Sequence, residues 1–392
     1  MRSTPSIIGS PLGRGASRCF LPPTGAVSSV SYDALRDRLA AFESDDPRTV
    51  LSLPDGSVDR WYALSGAGGD RLEAAAAFAD QLTAGGRSFA LEPVDDRPGG
   101  QAVNAAIQVH ELGESATLVG HLDHPVLSEF PFETHSMGCP ATIRVVAFDG
   151  DEVMFSEPGP AEDWGIDELL SVVDWERVVG ADALCCGNWV SVRGLAGVFD
   201  RLAAAPPDEP LPVVVDPGPI DAVEPAALAD LFDALARADS PGAAAVFLSV
   251  NPTELDAAAR AAEGGDVAGD GADSSGDAGT DTDTDADAGR VRDRASALRS
   301  ALGVTGVVSH GSDAAVGATR DDTAIVEMLD IGKPQRTTGA GDRFSAGLAC
   351  GLARAWSLET ALALGNACAA HFVGIGETAD PSGIRSLLEN GD

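Results

Sequence analysis

Thr337-Thr338-Gly339-Ala340-Gly341-Asp342-Arg343-Phe344-Ser345-Ala346-Gly347 reads as a glycine-bracketed turn that runs straight into a helix. Gly339 and Gly341 flank a small residue, Asp342 follows at once, and the small and apolar residues from Phe344 to Leu352 can carry the helix onward. Glycines let the backbone turn without a side chain in the way, so consecutive N–H groups can point at an anion at the helix start. An aspartate in the first helical turn is favoured by the helix dipole whatever else it does. Beside an anion hole it can also take a proton from a hydroxyl while the N–H groups hold the charge developing on a transferred phosphoryl group. The two readings are compatible, and the rest of the chain decides between them.

The chain has 392 residues, with 61 Asp and Glu against 26 Lys and Arg, for a formal charge of −35. So negative a chain is a poor partner for nucleic acid or an anionic membrane, which are bound mostly through basic groups. A nucleotide is not excluded, because backbone N–H groups and a magnesium ion can hold phosphates locally. The acidic excess fits a halophilic protein kept soluble in a salt-rich cytoplasm, where surface self-repulsion is screened. Six cysteines lie without CxxC spacing, so no zinc or redox motif follows. No run approaches the ~20 apolar residues of a membrane span, and residues 1–29 lack the apolar core of a secretory signal. Residues 1–45 are expected to be a variable extension, and 46–392 the catalytic domain.

Outward from the glycine turn the chain alternates buried strands with helices. Thr49 to Ser52, Ala116 to Leu122, Ala183 to Cys185, Leu211 to Val215, Ala245 to Val250 and Gly306 to Ser309 are apolar runs of strand length, with helical stretches between them. That alternation indicates an α/β sheet covered on both faces. Gly187-Asn188-Trp189 is a loop after a strand, where ligands gather in parallel α/β sheets; later strands end at Asp216-Pro217-Gly218-Pro219, Asn251-Pro252-Thr253-Glu254 and His310-Gly311. Asp149-Gly150 marks a hairpin between Thr142–Ala147 and Val153–Phe155, plausible as a cover for a substrate pocket. Gly99-Gly100 opens a helix bearing Asn104, whose amide can donate and accept at once and so suits hydroxyl recognition. Asp59, following the Pro54-Asp55-Gly56 turn, is either a turn residue or an acceptor for a polyol's hydroxyls. From Gly264 to Gly289 the chain is nearly all Gly, Asp, Ala, Ser and Thr, which predicts a disordered acidic insert. Its Asp spacing does not match a calcium loop.

Together these stretches resemble the ribokinase-like (PfkB) family of carbohydrate kinases, from about Thr49 to the end. Thr338-Gly339-Ala340-Gly341-Asp342-Arg343-Phe344 is similar to the family's carboxy-terminal signature, Gly99-Gly100 with Asn104 to its amino-terminal one, and Asn251 with Glu254 to its Asn-x-x-Glu motif. The resemblance implies a three-layer sandwich with a mostly parallel central sheet and a small β lid, the lid segments lying near 86–98 and 140–157. It implies Asp342 as catalytic base, the backbone of Gly339, Ala340 and Gly341 as anion hole, and Asp59, Gly99, Gly100 and Asn104 at the acceptor. It further implies Asn251, His310, Gly311 and Asn366 around the nucleotide, Glu254 near Mg2+, and ATP as donor; separately, the lid hairpin offers an edge through which two copies could form a homodimer. Arg336 stands where many members carry an acidic residue, as either a phosphate contact or an exposed charge. The context of Asn251 leaves ADP open as donor. Sugar, sugar phosphate and nucleoside all stay open as acceptors, because Trp61, Tyr62 and Trp189 could stack on a base and Arg60, Arg144 and Arg193 could meet a phosphate. A kinase-like protein that binds ligand without catalysis is a further alternative, while the lack of a GxGxxG pattern disfavours a dinucleotide oxidoreductase.

Overall fold

Apolar runs without polar alternation form strands buried on both faces. In the computed structural model, which describes residues 25–66, 68–239, 244–264 and 284–390, they line up in one sheet. Its strands are β1 (Thr49–Leu53), β4 (Ser115–Gly120), β5 (Glu133–Ser136), β8 (Ala183–Gly187), β9 (Leu211–Asp216), β10 (Ala244–Val250), β11 (Gly306–His310), β12 (Ala314–Thr319) and β13 (Thr323–Glu327). They lie in the order β13-β12-β11-β10-β9-β8-β1-β4-β5. Every pair from β11 to β5 is parallel; β12 and β13 add an antiparallel edge. Helices cover both faces. One core layer takes Val198 and Phe199, Leu228 and Leu231, Leu255, and Leu298 from helices Leu195–Ala204, Pro225–Ala238, Pro252–Ala262 and Thr284–Leu302. The opposite layer packs Val109, Phe344, Leu348, Leu362 and Ile384 from helices Gln101–Glu111, Ala340–Ala353, Leu358–Ile375 and Pro381–Asn390. Leu358–Ile375 is long and apolar enough to cross a membrane, yet here it is a core helix with most of its length buried.

A second sheet, β3-β2-β6-β7, joins β2 (Ser57–Ser65), β3 (Ala90–Gly99), β6 (Ala141–Phe148) and β7 (Asp151–Glu157). The hairpin expected around Asp149-Gly150 is β6–β7, with Phe148 opposite Asp151. The turn-and-loop reading of the segment around Asp59 gives way to a nine-residue strand, β2, paired with β3 on one side and β6 on the other. Val58, Arg60 and Tyr62 alternate with Ser57, Asp59 and Trp61 without one apolar stripe, so periodicity carries no signal there.

Two boundaries also move. Helix Gly25–Leu39 places Tyr32, Leu35 and Leu39 in the core, so the segment read as an extension is part of the packed fold from there on; residues 1–24 lie outside the described residues. The acidic run read as an insert to Gly289 already turns helical at Thr284, the start of helix Thr284–Leu302, where Asp287 pairs with Arg290 one turn on. Residues 265–283 of the expected insert lie outside the described residues.

Candidate active site

The parallel strands all run the same way, so their carboxyl ends gather on one edge of the sheet. At that edge lie Asn188 after β8, Asp216 closing β9, Asn251 after β10 and His310 closing β11. Helix Ala340–Ala353 points its amino end at the same place. Gly339 caps it with φ of 90°, the left-handed region open to glycine, and an added Cβ would come within 2.6 Å of Arg343 Nη1. Of the first N–H groups, that of Ala340 turns back to Thr337 O at 3.1 Å. Those of Gly341 and Asp342 make no hydrogen bond within the described residues, which narrows the expected anion hole to two open donors.

Asp342 is buried, and one of its oxygens accepts from Asn104 Nδ2 at 2.7 Å across 238 residues of chain. Asn104 is set there by the start of helix Gln101–Glu111, which Asp55 caps by accepting from Gln101 N at 3.0 Å and Ala102 N at 2.7 Å. Asn188, itself at φ of 57°, donates to the same Asp55 at 2.9 Å. Gly100 enters the helix at φ of 103°, and a Cβ there would meet Gly56 Cα at 3.0 Å. Asp55 read as a turn residue in the sequence; it holds the Asn104 helix. Burial, set against these donors, raises its pKa.

Asp59 projects from β2 beside Gly99, where a Cβ would sit 2.3 Å from its carboxylate. It accepts from Ser57 Oγ at 2.6 Å. Burial raises its pKa, and the Ser57 bond and Arg336 oppose the rise. Asp59, Gly99, Gly100 and Asn104 thus come together on one side of Asp342.

On the other side opens a cavity of ≈1680 Å³, lined by Asn251, His310, Gly311, Ala340 and Gly341 near the helix start and by Met328, Leu329, Ala369 and Val373 farther out. Asn251 and Glu254 form a reciprocal cap on helix Pro252–Ala262: Glu254 N donates to Asn251 Oδ1 at 2.9 Å, and Asn251 N to Glu254 Oε2 at 2.8 Å. Burial raises the pKa of Glu254. His310 packs on Phe344 with the rings tilted by 33° and their centroids 4.7 Å apart, and burial pushes its pKa down to about 4, so the ring is neutral at neutral pH. A Cβ on Gly341 would lie 3.1 Å from His310 Cε1, which ties the glycine to the close approach of these two loops.

Asn366 is placed differently from its expected position at the nucleotide. It is fully buried and donates to Val326 O at 3.0 Å and to Tyr32 Oη and Glu327 O at 3.3 Å, tying helix Leu358–Ile375 to β13 and the amino-terminal helix. Asn366 shares a helix face with Ala369, Ala370 and Val373, which line the cavity, but it sits a turn nearer the amino end, where β13 and helix Gly25–Leu39 cover it.

Asp216 was missed as a site residue, because in the sequence it marks only the end of a strand before Pro217-Gly218. It is buried, accepts from Gln101 Nε2 at 3.0 Å and Gly218 N at 3.2 Å, and faces Ser345 Oγ at 3.4 Å. Burial first, then the charges of Asp342 and Glu254, push its pKa up to about 7. Arg343 was missed likewise; its guanidinium lies 3.9 Å from the Phe372 ring and donates to Gly339 O at 2.9 Å.

Among the described residues no three His, Cys, Asp or Glu side chains converge on one point. Glu254 keeps Oε1 free of the cap, which suits a magnesium ion that arrives with nucleotide phosphates and retains water.

Residues 33–391 match the prokaryotic ketohexokinase family model. A curated ketohexokinase from Haloferax volcanii is 28% identical over 385 residues, covering 91% of this chain and 94% of its own. Among solved structures, a carbohydrate kinase from Agrobacterium tumefaciens aligns with a TM-score of 0.59 at 20% identity, over 87% of this chain and 97% of its own. A ribokinase from Thermotoga maritima gives 0.59 at 17% identity over 87% and 99%. An Arabidopsis thaliana ribokinase complexed with ribose and ATP gives 0.57 at 17% identity over 88% and 98%. The chain has the ribokinase-like fold and belongs to the prokaryotic ketohexokinase family, a family of carbohydrate kinases.

Proposed function

We propose that this chain moves the terminal phosphoryl group of ATP to a hydroxyl of a sugar, with a ketohexose as the first acceptor to test and Asp342 as general base. The observation that carries the reading is the junction at Gly339–Asp342. There a buried carboxylate, oriented by Asn104, stands beside two open N–H groups at a helix start, between a polar pocket and a cavity with ample room for a nucleotide.

In this reading Asp342 accepts the proton of the acceptor hydroxyl as its oxygen bonds to the terminal phosphorus, and the bond from that phosphorus to the bridging oxygen breaks, leaving ADP. The N–H groups of Gly341 and Asp342 hold the equatorial oxygens during transfer. Asp59 and Asn104 orient the acceptor hydroxyls against the Gly99-Gly100 turn. Asn251, His310 and Gly311 border the donor. Glu254 would hold magnesium, which when bound neutralises the donor phosphates. The reaction belongs in the cytoplasm, where ATP is made. Exposed Leu91, Val94, Met154 and Phe155 on the lid strands favour a homodimer built lid to lid, a state that light scattering would report.

The test is phosphoryl transfer from ATP and from ADP to ketohexoses, other sugars, sugar phosphates and nucleosides, with Asp342→Ala beside the wild type. Wild-type turnover that falls at least 1000-fold in the variant is expected, a general base beside an oxyanion site being worth about that much. Equal turnover by the two proteins would refute the assignment of Asp342. Turnover with ADP alone would replace the donor.

A further inference from the structure

Arg343, the residue after the proposed base, sits where three physical effects oppose a cation. It occupies the first turn of helix Ala340–Ala353, whose dipole repels positive charge. It is 5% exposed, so its charge has little water around it. A second guanidinium, that of Arg336, shares the same neighbour: Arg343 lies 3.9 Å and Arg336 5.1 Å from the Phe372 ring. Burial pulls the pKa of Arg343 down to about 10, with the charge of Asp342 opposing the fall and Arg336 adding to it, so it remains charged at neutral pH.

What surrounds it is unusual too. No carboxylate lies within ion-pair distance of Arg343 or Arg336 among the described residues, and the Nε atoms of both are buried without a hydrogen-bond partner. The one bond Arg343 makes, Nη1 to Gly339 O, uses a single donor of its five. A Cβ on Gly339 would be 2.6 Å from Arg343 Nη1 and 3.5 Å from Asn104 Nδ2, so the guanidinium crowds the same spot as the amide that bonds Asp342. Around Asp342 stand Asp55, Asp59 and Asp216, each with a pKa raised first by burial and also by the charge of Asp342. A phosphoryl group carrying negative charge has to enter that ring of acids. Arg97, the next cation outward, is already bonded to Asp95 at 2.8 Å.

We infer that Arg343 is a catalytic cation. Its free N–H groups contact the oxygens of the phosphoryl group in transfer from the acceptor side, opposite the Gly341 and Asp342 N–H groups, and Arg336 backs it with a second charge. The inference rests on the kinase reading above and adds to it a residue that neutralises the incoming group inside an acidic site. A guanidinium aimed at planar phosphoryl oxygens can form two bonds at once, which an ammonium cannot.

The experiment compares wild type, Asp342→Ala, Arg343→Gln, Arg343→Lys and Arg343→Ala, each checked for folding by circular dichroism. Gln can keep the bond to Gly339 O without the charge, so it separates capping from catalysis even if the Ala variant does not fold. Expected for Arg343→Gln is a kcat about 100-fold lower with KM for both substrates within a few-fold. ADP with aluminium fluoride should bind weaker by a similar factor, while ADP alone binds as before. Low-millimolar guanidinium should restore part of the activity of Arg343→Ala, and Arg343→Lys should fall between wild type and Gln. A folded Arg343→Gln enzyme with wild-type kcat, or one in which ADP affinity falls together with kcat, overturns the inference and leaves the kinase reading standing. Wild type without turnover, or unaffected by Asp342→Ala, removes the kinase reading and the inference with it.

Discussion

Replacing Asp216 by Asn tests whether a carboxyl is held neutral under the proposed base. The ordinary pKa of 3.8 is pushed up to about 7, first by burial and then by Asp342 and Glu254. Because the folded-state value lies above the unfolded one, the unfolded chain loses this proton first as pH rises. The folded state is therefore unpenalised below about pH 4, loses ground steadily from there to about pH 7, and carries the full penalty above. At about 1.4 kcal/mol per pKa unit the penalty is about 4 kcal/mol, a large share of the ~5–15 kcal/mol that separates folded from unfolded domains. Asn keeps an oxygen for Gln101 Nε2 and Gly218 N but has no proton to lose. Urea unfolding of both proteins at fixed salt, from pH 4 to pH 8, gives the difference directly, and the contributions of other carboxylates largely cancel in it. Asp216→Asn should gain about 4 kcal/mol on the wild type between those limits, most of it before pH 7. A difference that stays flat within about 1 kcal/mol would mean that Asp216 ionises normally, and the account of a strained acidic site would fall.

Three further outcomes follow from single contacts. Gly99→Ala puts a Cβ 2.3 Å from the Asp59 carboxylate, so KM for the acceptor should rise at least 10-fold, with KM for nucleotide unchanged in the same steady-state assay. Asn366→Ala removes the donor shared by Val326 O, Glu327 O and Tyr32 Oη; denaturant titration should show a loss of about 1–3 kcal/mol, and nucleotide titration no change in affinity. With a formal charge of −35, the thermal midpoint should climb as KCl is raised toward 1 M, where the Debye length is ~3 Å, and a midpoint indifferent to salt would argue against adaptation to brine.

The residues that local chemistry marks were legible in the chain itself. Gly339-Ala340-Gly341-Asp342 announces a helix start with open N–H groups because glycine enters the left-handed turn at Gly339 without a Cβ in the way. The uniform apolar runs at Leu211–Asp216 and Ala244–Val250 announce parallel strands because both their faces are covered. Tertiary structure alone decided which polar groups meet. Asn104 and Asp342 are bonded across 238 residues, and Asp216 reaches Ser345 across 129, separations over which no periodicity extends. Asn366 is in phase with the cavity-lining Ala369, Ala370 and Val373, yet β13 and Tyr32 seal it off, a cover that only packing supplies. Strand β2 exists because β3 and β6 pair with it, and its own alternation would not have called for a strand. Backbone conformation is set within a few residues, so it can be read locally; burial, charge and proton affinity at Asp216 and Arg343 are sums over neighbours from distant segments, and only the folded chain supplies them.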